Sequence, residues 1–430
     1  MSSILEHPDA QALLDQTDVT PATVRACARH LTAFVQRYLP FFYRAEHRRH
    51  ADIILRGKLT GLERKTTEPI ALQAQQKRRP LQHFVGAGQW DDDAVLAELS
   101  RHVAQEMADP DAVLVVDGYG VAKKGDDTCG VQRQWCGRLG KVDNCQVGVF
   151  LAYAAPRGKA LLRGRLYLPP ERAADAPHRH KTHVPPEVAF QEKWRLALDL
   201  VRGPGREVPH GWVTGDDDFG RATEFRAQLR LDRERYVLDV PCNTHVRDLS
   251  PCRRPARAGG RERLPSFERA DAWAARQPKR RWRKFRLRGG EKGPLEVKAL
   301  QQWVQTKDED GCVGPRERLV VLRTCEKKPR TWYTVSNARK EVGLARVARA
   351  HGERHRVEEL LEEGNGEVGL DHYEVRSWTG WHHHMTLSLL ALWFLQLERL
   401  RVGEKKSGDD GAAGAGGVQR VAAASAAQCA

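Results

Sequence analysis

Three acidic positions in this chain have the residue type and the local setting for metal-assisted chemistry on a phosphate ester. Asp117 closes the apolar run Ala112–Val116, a cluster Asp216-Asp217-Asp218 follows Gly211–Gly215, and Glu358 sits in the segment HGERHRVEELLEEGN at 351–365. Hydrolysis of a phosphodiester is served by two divalent cations about 4 Å apart, one activating the nucleophile and one steadying the leaving oxygen. Mg²⁺ prefers carboxylate oxygens and keeps several of its waters, so three carboxylates on different elements suffice to hold such ions. Each acid alone says little in a chain with 56 Asp and Glu, since an acid's ordinary place is a surface or a helix cap. Order and setting have to carry the reading.

The setting is an alternation of strands and helices. AVLVVDGYGVAKKG at 112–125 is a β-branched run ending in glycines, which predicts a buried strand with Asp117 near its end. CQVGVFLAYA (145–154) and KALLRGRLYL (159–168) read as two further strands joined by the turn Ala155–Gly158. Over 187–201, Val188, Trp194, Leu198 and Val201 share a helical face. Next come a short strand at 211–214 leading into the acids, a helix at 222–231 and a strand at 236–240. Three strands, then helix, strand, helix, strand, predict an α/β fold with a ribonuclease-H-like catalytic core. Its adjacent central strands would let Asp117 face the acids at 216–218, and strand geometry leaves Asp216 and Asp218 both open. Around Glu358, the apolar face Val357, Leu360, Leu361 places the carboxylate at the core's edge, with Glu359, Glu362 and Glu363 turned to solvent.

Five regions follow from these textures. Residues 1–108 read as an all-helical DNA-binding domain with a basic face, including a helix over Pro21–Phe42 capped by Thr20 and an amphipathic stretch from Trp90 to Met107. Residues 109–240 form the first part of the core. A β-rich basic insertion occupies 241–338, with strands at Leu295–Val304, Arg318–Arg323 and Thr331–Val335. Residues 339–402 complete the core with the Glu358 helix, and 403–430, dominated by Ala, Gly and small polar residues, predict a disordered tail.

Charge narrows the partner. The net charge is +15, and residues 251–290 alone hold fourteen Lys and Arg against three acids, a local +11. A polyanion such as nucleic acid fits that balance. Within this stretch Arg280, Arg281, Trp282, Arg283 and Lys284 interleave cations with an aromatic ring, suited to phosphate contacts and stacking on a base. Nine scattered cysteines with no CxxC pair read as reduced thiols, and the spacing of Cys242, Cys252, Cys312 and Cys325 fits no zinc module. His178, His180 and His183 read as a polar loop, and His382–His384 as a helix surface rather than as ligands. The N-terminus lacks the basic start and apolar core of a secretory signal, and Met385–Leu395 is too short to span a bilayer. A cytoplasmic, nucleoid-associated bacterial protein with no membrane role is the expectation.

Several longer strings add to this. VDG (116–118), GVQRQWCG (130–137), GKVDNCQV (140–147), GDDDFGR (215–221) and GLDHYEVRSW (369–378) resemble transposases of bacterial insertion sequences of the insertion sequence 701 family, with a likeness running from about Leu62 to about Leu397. The resemblance implies a DDE enzyme whose ribonuclease-H-like fold is interrupted by a β-rich insertion before its Glu. By position it implies Asp117, Asp216 and Glu358 as the catalytic and metal-binding triad, favouring Asp216 over Asp218. Two Mg²⁺ ions, with Mn²⁺ as substitute, are implied as cofactors. The wider group surrounds its Glu with a Tyr, an Arg and a Lys; Arg354 matches, whereas His351 stands for the Tyr and Asn365 for the Lys.

The expected function is therefore DNA transposition: metal-dependent hydrolysis at the ends of an insertion sequence, then strand transfer into target DNA. Expected DNA contacts are Lys123, Lys124, Arg280, Arg281, Trp282, Arg283, Lys284 and Arg354. The expected partners are double-stranded DNA, as terminal inverted repeats and target, and a second copy of the chain on that DNA. Two alternatives stand beside it: a transposase-derived DNA-binding protein without catalysis, motivated by His351 and Asn365, and a ribonuclease-H-like nuclease that cleaves without joining.

Overall fold

The computed structural model describes residues 21–250, 265–288, 295–308 and 310–406. It begins with helices α1 (Pro21–Tyr38), α2 (Ala45–Lys58), α3 (Thr67–Gln73), α4 (Arg78–Gly86) and α5 (Asp92–Met107). Asp91 caps α5 by accepting a hydrogen bond from the Ala94 N–H at 3.0 Å, and Asp92 and Asp93 add negative charge to the first turn, where the helix dipole favours it. The Val-rich run becomes β1 (Val113–Ala122), followed by β2 (Gln132–Cys136), β3 (Lys141–Ala155) and β4 (Gly158–Leu166). Helices α6 (Pro170–Ala174), α7 (Ala176–Lys181) and α8 (Lys193–Arg202) lead to β5 (Trp212–Gly215), and α9 (Asp217–Gly220) with α10 (Thr223–Leu231) lead to β6 (Tyr236–Asp239). The segment after β6 holds β7 (His245–Asp248), β8 (Glu268–Arg269), α11 (Ala270–Ala275), β9 (Arg283–Arg288), β10 (Leu295–Lys307), β11 (Val313–Thr324) and β12 (Thr331–Ser336). Three helices close the chain: α12 (Leu344–Gly352), α13 (His355–Val368) and α14 (Trp378–Lys406).

The fold is mixed α/β, built on one twelve-stranded mixed sheet in the order β2-β3-β1-β5-β6-β12-β11-β10-β7-β8, with β4 on β3 and β9 on β10. β1 runs antiparallel to β3 but parallel to β5, and β5 runs parallel to β6. The first four residues of β1 are all buried, as suits a central strand covered on both faces. β12 pairs antiparallel with β6, so the residues between β6 and α12 continue the same sheet. A buried network joins the two parts: Arg226 of α10 pairs with Glu317 of β11 at 3.2 Å and donates to the Thr306 hydroxyl at 2.9 Å, while the Tyr236 hydroxyl also donates to Glu317.

The five opening helices share one hydrophobic core with α14 and the sheet. Phe34 meets Phe394 edge-on at 5.3 Å, and Trp90 stacks on His383 at 3.7 Å. α14 is buried from Gly380 through Glu398, its polar residues included. This corrects the reading of His382–His384 as a helix surface. All three are buried, with ring nitrogens hydrogen-bonded to the carbonyls of Trp378 (His382), Val85 and Trp90 (His383) and Leu370 (His384), so burial keeps them neutral. His178 is also buried, in α7.

Two elements depart from the sequence pattern. β2 pairs with β3, Trp135 opposite Val142, although QRQWC carries too few apolar residues to read as a strand; its pairing partner supplies the order. α8 starts only at Lys193, because the chain from Val184 through the Pro185–Pro186 pair and on to Glu192 stays non-helical. Among the described residues, seven cysteines stand outside any disulfide and no helix is long and apolar enough to cross a membrane. Most of the expected tail, from residue 407 on, lies outside the described residues, as do residues 251–264 of the basic stretch.

Candidate active site

Strand register assembles the centre. In the parallel pair of β1 and β5, Val116 lies opposite Gly215, and Gly215 lies opposite Leu238 of β6. One residue further along each chain come Asp117, Asp216 and Asp239, side by side on neighbours spaced about 4.8 Å apart. Asp216 caps the short helix α9 by accepting from the Asp218 N–H at 3.0 Å, which turns the chain sharply at the end of β5. The turn then packs onto β6 at Gly220, where a Cβ would stand 1.7 Å from the Asp239 carbonyl oxygen. Glycine is the residue that allows this approach.

Helix α13 delivers Glu358. Its buried face is Val357, Leu360, Leu361, Gly364 and Val368, and its first turn carries Glu358, whose charge reaches Asp117. Gly369, at φ +63°, lets the Leu370 N–H turn back to the Gly364 carbonyl at 2.8 Å, ending the helix. A side chain there would be strained and would also meet Lys65. Glu358 is gripped by Arg354 Nη2 at 3.2 Å and His355 Nδ1 at 3.1 Å. Glu362 is exposed as expected, but Glu359 and Glu363 are not free surface acids: they clasp Lys159 of β4 at 2.8 and 2.9 Å, fastening α13 to the sheet.

The electrostatics show that these groups share one field. Burial, then the neighbouring Asp216 and Glu358, push the Asp117 carboxyl up to about 7 against the opposing pull of Arg354. Burial, Asp218 and Asp217 likewise raise Asp216 to about 6, again opposed by Arg354. Like charges held close in a poorly solvated site disfavour ionisation, and a cation between them would reverse the effect. Asp218, the alternative second acid, is exposed and engaged by Lys193 at 3.2 Å.

Residues 37–294, three-fifths of the chain, match the family described as DDE superfamily endonuclease. The chain belongs to that family. The matched span of this endonuclease family includes Asp117 and Asp216 and ends before Glu358. A stretch of 139 residues is 32% identical to a protein of Microchaete diplosiphon named as a probable transposase for insertion sequence element IS701. That stretch covers 31% of this chain and 34% of the relative, so the chain spans about a third of the length of the curated relative it matches.

The donors present in this member of the DDE superfamily are hard carboxylates, the type Mg²⁺ and Mn²⁺ prefer. Two of them, Asp117 and Asp216, are adjacent and only partly compensated by Arg354, which fits a divalent cation. Glu358 shares their field while bound to Arg354 and His355. Among the described residues, no three His, Cys, Asp or Glu side chains are gathered tightly enough to form a finished metal cage.

Asp239 is the group the sequence did not disclose. Its Oδ1 faces His351 Nε2 at 2.8 Å and its Oδ2 faces Arg354 Nε at 3.4 Å, with all three side chains largely buried. The signal was present only as an acid ending the strand YVLD; its partners lie more than a hundred residues away. Asn365 Oδ1 accepts a hydrogen bond from the Tyr119 hydroxyl at 2.8 Å, and the Tyr119 hydroxyl in turn accepts from Arg138 at 3.1 Å. Of the other expected contact residues, Lys123 turns inward onto the Tyr373 ring at 3.4 Å, and burial lowers it to about 8. Lys124 is exposed. In the basic stretch Arg280 and Arg283 are exposed, Lys284 pairs with Glu296 at 2.7 Å, and Trp282 is half-buried with Arg323 over its ring. Arg281 is committed to Gln301 and Gln302. Strand β9, which carries Arg283 and Lys284, packs against α12, the helix just ahead of Arg354.

Proposed function

We propose that the chain is a DNA transposase that cleaves the ends of an insertion sequence in a metal-dependent reaction and joins them to target DNA. The observation that carries the reading is the alignment of Asp117 and Asp216 on parallel strands, where their mutual repulsion leaves a site that gains most from a divalent cation. The strand order β4-β3-β1-β5-β6, three antiparallel strands followed by two parallel ones, supports a ribonuclease-H-like core. Asp117 and Asp216 would hold the metal and Glu358 would complete its ligands from the opposing helix. A bound ion supplies Lewis acidity and a more acidic water at the scissile phosphate.

The protein's own groups prepare that step. Arg354 partly neutralises the carboxylates in the metal-free state and pairs with Glu358. Helix α13, pinned through Lys159, sets the distance between the glutamate and the sheet. A cleft of about 1280 Å³ opens beside Asp218, its charge mixed: Arg195, Arg221 and Lys307 line it together with Glu192, Glu224, Asp308 and Asp310. Arg280, Arg283 and Lys124 are the exposed cations that would contact phosphates; duplex ends and target DNA are the proposed partners, with two copies of the chain bringing two ends together.

The test is cleavage and strand transfer on the DNA flanking the element that encodes the chain. Wild type should cleave with Mg²⁺ or Mn²⁺, and Asp117→Asn, Asp216→Asn and Glu358→Gln should each lose at least about a hundredfold in rate while still binding DNA. Full activity of Glu358→Gln would remove it from the triad. A second reading, DNA binding without catalysis, draws on the internal use of His351 and Asn365; it requires that wild type bind end DNA and cleave with neither metal.

A further inference from the structure

A row of three strand-end aspartates is one more than a two-aspartate centre needs. Asp117, Asp216 and Asp239 follow one another across β1, β5 and β6, with Asp216 between the other two. Asp239 differs from its neighbours in being spoken for on both oxygens, by His351 at 2.8 Å and by Arg354 at 3.4 Å. Its side chain is only 10% exposed, whereas that of Glu358, the other acid on Arg354, is 42% exposed.

We propose that Asp239 is a positioning residue: it anchors the Arg354 guanidinium on the flank away from Asp117, so that this cation bridges to Glu358 instead of occupying the space between the two metal-binding aspartates. The inference rests on the proposed metal-dependent reading of the same site.

The physics is competition between cations for one set of carboxylates. Arg354 is permanently charged and largely buried, and a buried charge seeks whatever counterion is in reach. Four carboxylates surround it and favour its charge in falling order Asp239, Glu358, Asp117 and Asp216. With Asp239 present, the guanidinium is bound at Nε by β6 and at Nη2 by Glu358 of its own helix. With Asp239 made neutral, the strongest anchor is gone. The arginine's best remaining partners are then the groups that must accept the metal. His351 braces the anchor: its Nε2 takes up the second Asp239 oxygen, leaving that carboxylate little freedom to swing toward Asp216.

The arrangement makes a prediction that an ordinary ligand or a passive structural residue does not share. Asp239→Asn should weaken Mn²⁺ binding to the full-length protein, measured by titration calorimetry without DNA, about tenfold, within the range usual for groups that orient metal ligands. Arg354→Gln alone should bind Mn²⁺ at least as well as wild type, because it removes the competitor. The double variant Asp239→Asn/Arg354→Gln should return to within about threefold of wild type. Persistence of the Asp239→Asn defect in the double variant would mean that Asp239 contacts the metal itself or acts through its charge alone, and would overturn the proposal, as would an unaltered Asp239→Asn or a weakened Arg354→Gln. If Asp239→Asn does not fold, recovery of folding in the double variant supports the same pairing, and failure of both overturns it. Asp117→Asn/Asp216→Asn is the control for the underlying reading: if wild type binds Mn²⁺ no better than this control, the metal site is wrong irrespective of Asp239.

Discussion

Replacing Asp117 by Asn should stabilise the metal-free protein while abolishing its proposed chemistry. The Asp117 carboxyl is raised from 3.8 to about 7 by burial and by Asp216, so it binds its proton more tightly folded than unfolded. A raised folded-state value means that the stability this group contributes is complete below about pH 4 and is lost as pH rises to about 7. At 1.36 kcal/mol per unit, the ceiling on that loss is about 4 kcal/mol. Asp117 and Asp216 titrate as a pair and both side chains touch solvent, so relaxation should halve it, to about 2 kcal/mol. Asn is nearly isosteric and never ionises. Urea unfolding in EDTA should therefore show Asp117→Asn more stable than wild type by about 2 kcal/mol at pH 8, with a smaller margin at pH 5. Millimolar Mg²⁺ should raise wild-type stability by mass action and leave the variant unchanged, closing the gap. If the variant is no more stable than wild type at pH 8 in EDTA, or the margin does not grow between pH 5 and pH 8, Asp117 and Asp216 do not repel one another in the metal-free protein.

Other parts of the molecule yield further expectations. Arg226→Met should destabilise the protein by about 3 kcal/mol in urea titrations, because it leaves the fully buried Glu317 with Arg230, at 3.8 Å, as its remaining cation; Arg226→Met/Glu317→Leu should recover most of that loss. Burial lowers His102 and His382 to about 4, so the stability they contribute is present above pH 6.5 and is lost as pH falls toward 4; between pH 6.5 and pH 5 each should account for about 2 kcal/mol, and His382→Gln should flatten the pH dependence of the urea midpoint. Arg280→Ala/Arg283→Ala should weaken DNA binding and make the log affinity against log salt line shallower by about 2, the slope for two lost phosphate contacts, as read by fluorescence anisotropy. An unchanged slope would take these arginines off the DNA.

The local chemistry of the chain was enough to show a β1 strand with an acid at its end, a GDDDFG turn, a later helix with a glutamate at the edge of its apolar face, and their α/β alternation. These are short-range matters: hydrophobic period, turn residues and helix caps act within a few positions of themselves. Residues whose meaning depends on distant neighbours stayed hidden. The His382–His384 run looks polar and is buried, because α14 is surrounded on every side by elements the run cannot announce. The strand β2 exists because β3 offers it an edge. Glu359 and Glu363 look like surface acids until β4 brings Lys159 against them. Asp239 is the sharpest case, an unremarked acid at a strand end until register sets it beside Asp216 and two helices bring His351 and Arg354 against it. Sequence alone determined which groups could carry charge and how each segment would bend; only the tertiary structure decided which charges meet, because Coulombic and hydrogen-bonding partners are chosen by distance in space.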